Sequence, residues 1–116
     1  SMKLAEQTIQ PVVKGSVPLS KNEAETLLRE IPRWSMGERA IEREFRFKDF
    51  RQAMDFVNRV ARVANEQDHH PDMFISYNKV RLTLSTHKIG GLSLNDFIVA
   101  AKIDQAADQQ TAGPAA

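Results

Sequence analysis

From Phe50 to Ala64 the apolar residues Phe50, Ala53, Met54, Val57, Val60, Ala61 and Ala64 recur at intervals of three and four. That spacing fits a helix with one apolar face and excludes a strand, whose side chains change face at every residue. Asp49, with Gln52 three positions on, caps its start. The stripe gives out at Asn65-Glu66-Gln67-Asp68, and Pro71 prevents any continuation because the residue before a proline is pushed out of the helical region. A helix with such a stripe needs a second layer to cover it, which the flanking segments must supply. Phe56 and Val63 fall off the stripe and read as a second apolar edge for packing on a partner subunit.

The flanks read as strands and two further helices. Ile41, Phe45 and Phe47 share one face of an alternating segment, with Arg43 interrupting that face. Met73 to Tyr77 is a short strand, Asn78-Lys79 a tight turn, and Val80, Leu82 and Leu84 alternate with Arg81, Thr83 and Ser85. Continued, that alternation puts His87 on the Arg81–Thr83–Ser85 side, opposite the leucines. Ser20 and Glu23 form a capping box opening a short helix through Ala24, Leu27 and Leu28 that stops before Pro32. Gly90-Gly91 breaks the last strand; Ser93 and Asp96 then open a helix through Leu94, Phe97, Ile98 and Ala101. The order helix, strand, helix, strand, strand, helix implies an α+β fold with an antiparallel sheet. Residues 1–17 read as a flexible arm, 18–105 as one domain, and 106–116 as a disordered tail.

Composition removes several functions. The chain has 116 residues, with 16 basic and 15 acidic residues for a net charge of +1. It therefore lacks the clustered basic charge that nucleic acid or anionic lipid requires. There are no cysteines, so disulfides, thiolate metal sites and cysteine nucleophiles are excluded. No apolar run approaches the roughly 20 residues that span a bilayer. The start, Ser1-Met2-Lys3-Leu4, leads into polar residues rather than a signal-peptide pattern, so a cytoplasmic location is expected. A domain this small buries a modest core, which favours association.

All three histidines, His69, His70 and His87, lie within one stretch of the chain. One isolated histidine near the end of an element is most often an ordinary polar position. Three together, beside the rigid Pro71, point to a site. Three imidazoles can hold a catalytic zinc, but adjacent histidines diverge by about 100° on a helix or face opposite sides of a strand. The spacing therefore argues against a metal. Metal-free acid–base catalysis suits imidazole, whose ordinary pKa of about 6.5 lets one ring donate and another accept near neutrality. Asp68 and Asp96 are placed to orient the rings, although Asp96 also stands where a capping carboxylate belongs. No phosphate loop, dinucleotide fingerprint or nucleophile elbow is present.

The segment Asp68-His69-His70-Pro71, followed by Tyr77-Asn78-Lys79-Val80, Leu84-Ser85-Thr86-His87 and Gly91-Leu92-Ser93, closely resembles the pterin-4a-carbinolamine dehydratases. Trp34 and Phe45-Arg46-Phe47-Lys48-Asp49-Phe50 extend the likeness, which runs from about Pro18 to Gln105. The resemblance implies a four-stranded antiparallel sheet with helices packed on one face, assembled as homodimers or homotetramers. It implies dehydration of 4a-hydroxytetrahydropterin to quinonoid dihydropterin, in recycling of the tetrahydropterin used by aromatic amino acid hydroxylases, with no metal or cofactor. Carried over residue by residue, His69 and His87 become the acid–base pair, supported by His70. His70, Pro71, Thr86, Lys88 and Ile89 become pocket walls, and Trp34 a cover for the ring. In one place the pattern is departed from. The family usually carries a charged group, most often Glu, where this chain has Asn65, and Glu66 lies one step away on the helix. Relatives of the family also act without catalysis, as a RuBisCO assembly factor in carboxysomes or a dimerisation cofactor for a transcription factor. A binding role is thus the alternative.

Overall fold

The fold follows from one two-layer packing problem. In the computed structural model, which describes residues 3–111, four antiparallel strands run in the order β1-β2-β4-β3. They are β1 (Ser35–Met36), β2 (Ile41–Arg46), β3 (Asp72–Ser76) and β4 (Lys79–Leu84). The helices are α1 (Lys21–Leu28), α2 (Phe50–Gln67) and α3 (Leu94–Thr111). Ile41, Phe45, Val80, Leu82 and Leu84 line one buried sheet face and share a core with Ala53, Phe56 and Val60 of α2 and Phe97, Ile98 and Ile103 of α3. Glu42, Glu44, Arg46 and Arg81 face outward. The sheet therefore has a wet face and a dry one, as the period-two alternation requires. Among the described residues no helix is long and apolar enough to cross a membrane.

The caps form as the residues dictate. Ser20 Oγ accepts the Glu23 N–H, and Glu23 Oε1 accepts the Ser20 N–H. The latter bond, to the Ser20 backbone, is the main cause holding the Glu23 carboxyl below its usual range, with the Ser20 side chain second. Asp49 Oδ1 accepts the Gln52 N–H at 2.9 Å.

Several expectations are corrected. Phe56 is fully buried and packs on Phe45 and Phe47, with ring centroids 4.5 and 5.0 Å away. It belongs to the core, and Val63 packs partly buried against the same cluster. The apolar face of α2 thus centres on Ala53, Phe56, Val60 and Ala64, while Phe50 is 49% exposed. The hairpin turn falls at Tyr77-Asn78, one step earlier than expected, because Ser76 pairs with Lys79. Asn78 fixes it there: its Nδ2 donates to the Phe47 carbonyl and its own carbonyl accepts the Phe47 N–H. Tyr77 takes a left-handed φ of 51° at that corner, and its ring stacks on Phe50. Strand β1, two residues long, carries no alternation from which to read it.

The ends differ too. The stretch expected to be a flexible arm is tied down near its start: Leu4 is 3% exposed in the core, and Lys102 Nζ donates to the Ala5 carbonyl, whereas residues 13–17 are exposed. The expected tail is helical through Thr111, with Ala106 and Ala107 buried. Its residues 112–116 lie outside the described residues, as do residues 1 and 2. Arg43, which interrupts the apolar face of its strand, reaches Asp104 of α3 at 2.6 Å. Asp104 also accepts the Trp34 indole N–H at 2.8 Å. Burial nevertheless pushes its carboxyl above the usual range, outweighing the pull of Trp34 and Arg43.

Candidate functional site

The site starts at the end of α2. Asp68 adopts a left-handed conformation, φ 51° and ψ 44°, and its N–H reaches back to the Ala64 and Asn65 carbonyls. This turn breaks the helical geometry that would have splayed two adjacent imidazoles. Beyond it, His69 turns toward the start of α3, where its Nε2 meets Asp96 Oδ1 at 2.6 Å. His70 turns back over the helix end, and its Nε2 lies 3.0 Å from Asn65 Oδ1. An amide oxygen only accepts, so this contact places the His70 hydrogen on Nε2.

Asp96 is fully buried, and both of its carboxylate oxygens have hydrogen-bond partners. Oδ2 accepts the Thr86 hydroxyl at 2.8 Å and the Ser93 N–H at 2.9 Å, while Oδ1 faces His69. Because Thr86 donates its single hydroxyl hydrogen to Asp96, its 2.8 Å contact with Ser93 Oγ has serine as donor. One carboxylate therefore caps α3, ties the loop after β4 to that helix, and orients His69. An ionised carboxylate accepts only, so His69 Nε2 carries a hydrogen and Nδ1 is left for a ligand. The His69 side chain is 14% exposed, enough for one edge to reach solvent.

His87 does not extend β4. The strand ends at Leu84, and His87–Ile89 form a short 3-10 turn closed by Gly90 in the left-handed region. Thr86 and Gly91 pair across this turn, which swings His87 to the surface beside the cavity. The three imidazoles border a single cavity of about 590 Å³, together with Asp68, Ser85, Thr86, Lys88 and Asn95. Residues 9–12 form its remaining side.

Other expected site residues lie elsewhere. Trp34 is 3% exposed, edge-on to Phe45, with its N–H committed to Asp104; it is a core residue and does not border this cavity. Ile89 and Pro71 do not border it either, and Pro71 is buried. Asn65 does not border the cavity but contacts His70, which does. Sequence reasoning missed Asn95, Ser85 and residues 9–12. Asn95 adjoins Asp96 in the first turn of α3, so proximity to a suspected site residue was its available signal. Residues 9–12 carry none, since their placement depends on a hydrogen bond to Asn95, 85 positions away. Among the described residues, no group of three or more His, Asp or Glu side chains is placed to hold a metal.

A family model described as pterin 4 alpha carbinolamine dehydratase matches residues 17–106. The chain belongs to this family. A Nitrosomonas eutropha protein whose name carries pterin-4-alpha-carbinolamine dehydratase is 49% identical over 102 residues, covering 87% of this chain and 90% of the relative. A Rubrobacter xylanophilus relative with the same designation is 46% identical, covering 88% and 96%. Among solved structures, a transcriptional coactivator/pterin dehydratase from Brucella melitensis superposes with a TM-score of 0.74 at 37% identity, covering 78% of this chain and 98% of that one. A pterin dehydratase-like protein described as a RuBisCO assembly factor in the alpha-carboxysome shares the fold, with a TM-score of 0.54 at 21% identity over 65% of this chain and 87% of that one.

Proposed function

We propose that this dehydratase-family chain removes water from 4a-hydroxytetrahydropterin by histidine acid–base catalysis, as a step in tetrahydropterin recycling. The observation that carries the reading is the three imidazoles around one cavity, with His69 held by a buried carboxylate. The reaction needs two proton movements. The C4a hydroxyl takes a proton as the C4a–O bond breaks, so that the oxygen leaves as water. N5 gives up its proton, and the electron pair of the N5–H bond becomes the second bond of N5=C4a. His69 and His87 divide these tasks, one as acid and one as base, within the contribution of about 10²–10⁴ in rate that positioned proton transfer supplies. Asp96 fixes which His69 nitrogen faces the ligand. His70, Thr86 and Lys88 bound the ring, with Asp68 and Ser85 at its margin. Every step runs on side chains of this chain, without metal or cofactor.

Asn65 bears on the rate more than on the pocket. Where the resemblance expects a carboxylate, a neutral amide positions His70 without adding charge to it. We also propose a homodimer or homotetramer in the cytoplasm. Among the described residues the outer edge of β3 has no neighbouring strand, and Phe74 and Ile75 on it are 55% and 37% exposed, the kind of surface a second copy covers. The second reading, a binding or assembly role for the same fold, draws on this patch and on Asn65. Phe56 adds nothing to it, since it lies in the core. Turnover separates the two. Purified chain should form quinonoid dihydropterin from the carbinolamine well above the buffer rate, and a rate equal to buffer would leave the binding role.

A further inference from the structure

The cavity has a side that the chemistry above does not use. Residues 9–12 border it, yet they precede the first residue of the family match, at position 17. They are anchored on both sides. Upstream, Leu4 is sunk in the core and Ala5 is held by Lys102. At Gln10 the side chain of Asn95, itself 5% exposed, grips the backbone with both ends of its amide. Asn95 Oδ1 accepts the Gln10 N–H at 2.9 Å, and Nδ2 donates to the Gln10 carbonyl at 2.6 Å. Asn and Gln are the side chains that offer an acceptor and a donor so arranged. Downstream, the Leu19 N–H donates to the Leu92 carbonyl, and Pro18 sits so close to Gly91 that an added Cβ there would lie 2.8 Å from it.

The chemistry of the two sides differs. Ile9, Pro11 and Val12 are apolar, whereas the opposite side is imidazole, hydroxyl and ammonium. A flat heterocycle has apolar faces and a polar edge, and such a cavity accepts it with a face on the apolar side and the edge on the polar groups. Asn95, which holds the apolar side, is the immediate neighbour of Asp96, which holds His69. We propose that residues 9–12, positioned by Asn95, are a ligand-contacting wall that sets affinity for the pterin ring. This inference rests on the pterin reading above.

The test uses the full chain and 7,8-dihydropterin, which has the ring but no 4a hydroxyl to lose. Calorimetric titration should show binding to wild type, with the Val12 amide exchanging more slowly when ligand is present. Asn95→Ala and Val12→Trp should each weaken binding about tenfold or more, a loss of about 1.4 kcal/mol. For turnover, Asn95→Ala should raise KM by a larger factor than it lowers kcat. Val12 lies outside the core cluster, so Val12→Trp keeps the test decisive if Asn95→Ala folds poorly. Equal affinity in wild type and Val12→Trp, with unchanged exchange at Val12, overturns the wall and leaves the pterin reading standing. Failure of wild type to bind dihydropterin overturns both.

Discussion

Replacing Asp96 with Asn asks whether the buried carboxylate acts on His69 or only holds the fold together. The amide is nearly isosteric. Its oxygen can keep the Thr86 hydroxyl and the Ser93 N–H, while its NH2 must face His69 Nε2. A donor there forces the ring to offer a lone pair, so the imidazole hydrogen moves to Nδ1 and the nitrogen facing the ligand can no longer accept a proton. Three hydrogen bonds change from charge-assisted to neutral, a loss of about 1 kcal/mol each, from about 1.5–3 to about 0.5–1.5. Burying a neutral amide is easier than burying a carboxylate, which returns part of this. The net destabilisation should be about 1–2 kcal/mol, a fall in Tm of about 4–8 °C for a domain of this size. The rate should fall much further, about a hundredfold or more in kcat. Urea unfolding measures the first quantity, and stopped-flow absorbance of quinonoid dihydropterin the second. Affinity for 7,8-dihydropterin should stay within a few-fold of wild type. Folded Asp96→Asn with kcat within threefold of wild type would refute an orienting role for this carboxylate.

Three further outcomes are expected. Asn65→Glu places a carboxylate against His70 Nε2 and should raise kcat by up to about tenfold, the value of one stronger hydrogen bond; a lower rate in steady-state assays would contradict the place given to Asn65. Phe56→Ala should cost about 3–5 kcal/mol in urea unfolding, as for a large core aromatic, and a cost under about 1 kcal/mol would return Phe56 to the surface. Asp104 has a raised carboxyl, so the folded chain holds its proton more tightly than the unfolded chain does. Its stabilising contribution is therefore present below the ordinary value of 3.8 and is lost as pH rises through the raised value. The stability of wild type relative to Asp104→Asn should accordingly fall as pH rises from 3.8 through the raised value; a rise over that range would mean that Arg43 outweighs burial.

The parts of this molecule legible in its sequence are those set by local chemistry. Ser20 and Glu23, Asp49 and Gln52, and the Val80–Leu82–Leu84 alternation each act over a few residues, and each forms where the residues place it. Where long-range packing decides, local reading falls short. Phe56 lies off the stripe drawn from its own helix, but the rings of Phe45 and Phe47 choose the buried face. Tyr77 takes the turn because Asn78 is bound to Phe47, just past the end of β2. At the site, the clustering of histidines is visible in one dimension, whereas their convergence depends on a single left-handed residue, Asp68. Trp34 shows the reverse error. An aromatic that could cover a ligand is committed to a half-buried carboxylate brought by α3, 70 positions away.

Removing the imidazoles singly and together tests the core of this account most directly. Steady-state formation of quinonoid dihydropterin should fall by about a hundredfold or more in His69→Ala and in His87→Ala. Because paired groups serve one proton circuit, the double variant should be little slower than the worse single variant rather than slower by the product of the two losses. Folded single variants that turn over at the wild-type rate would contradict it.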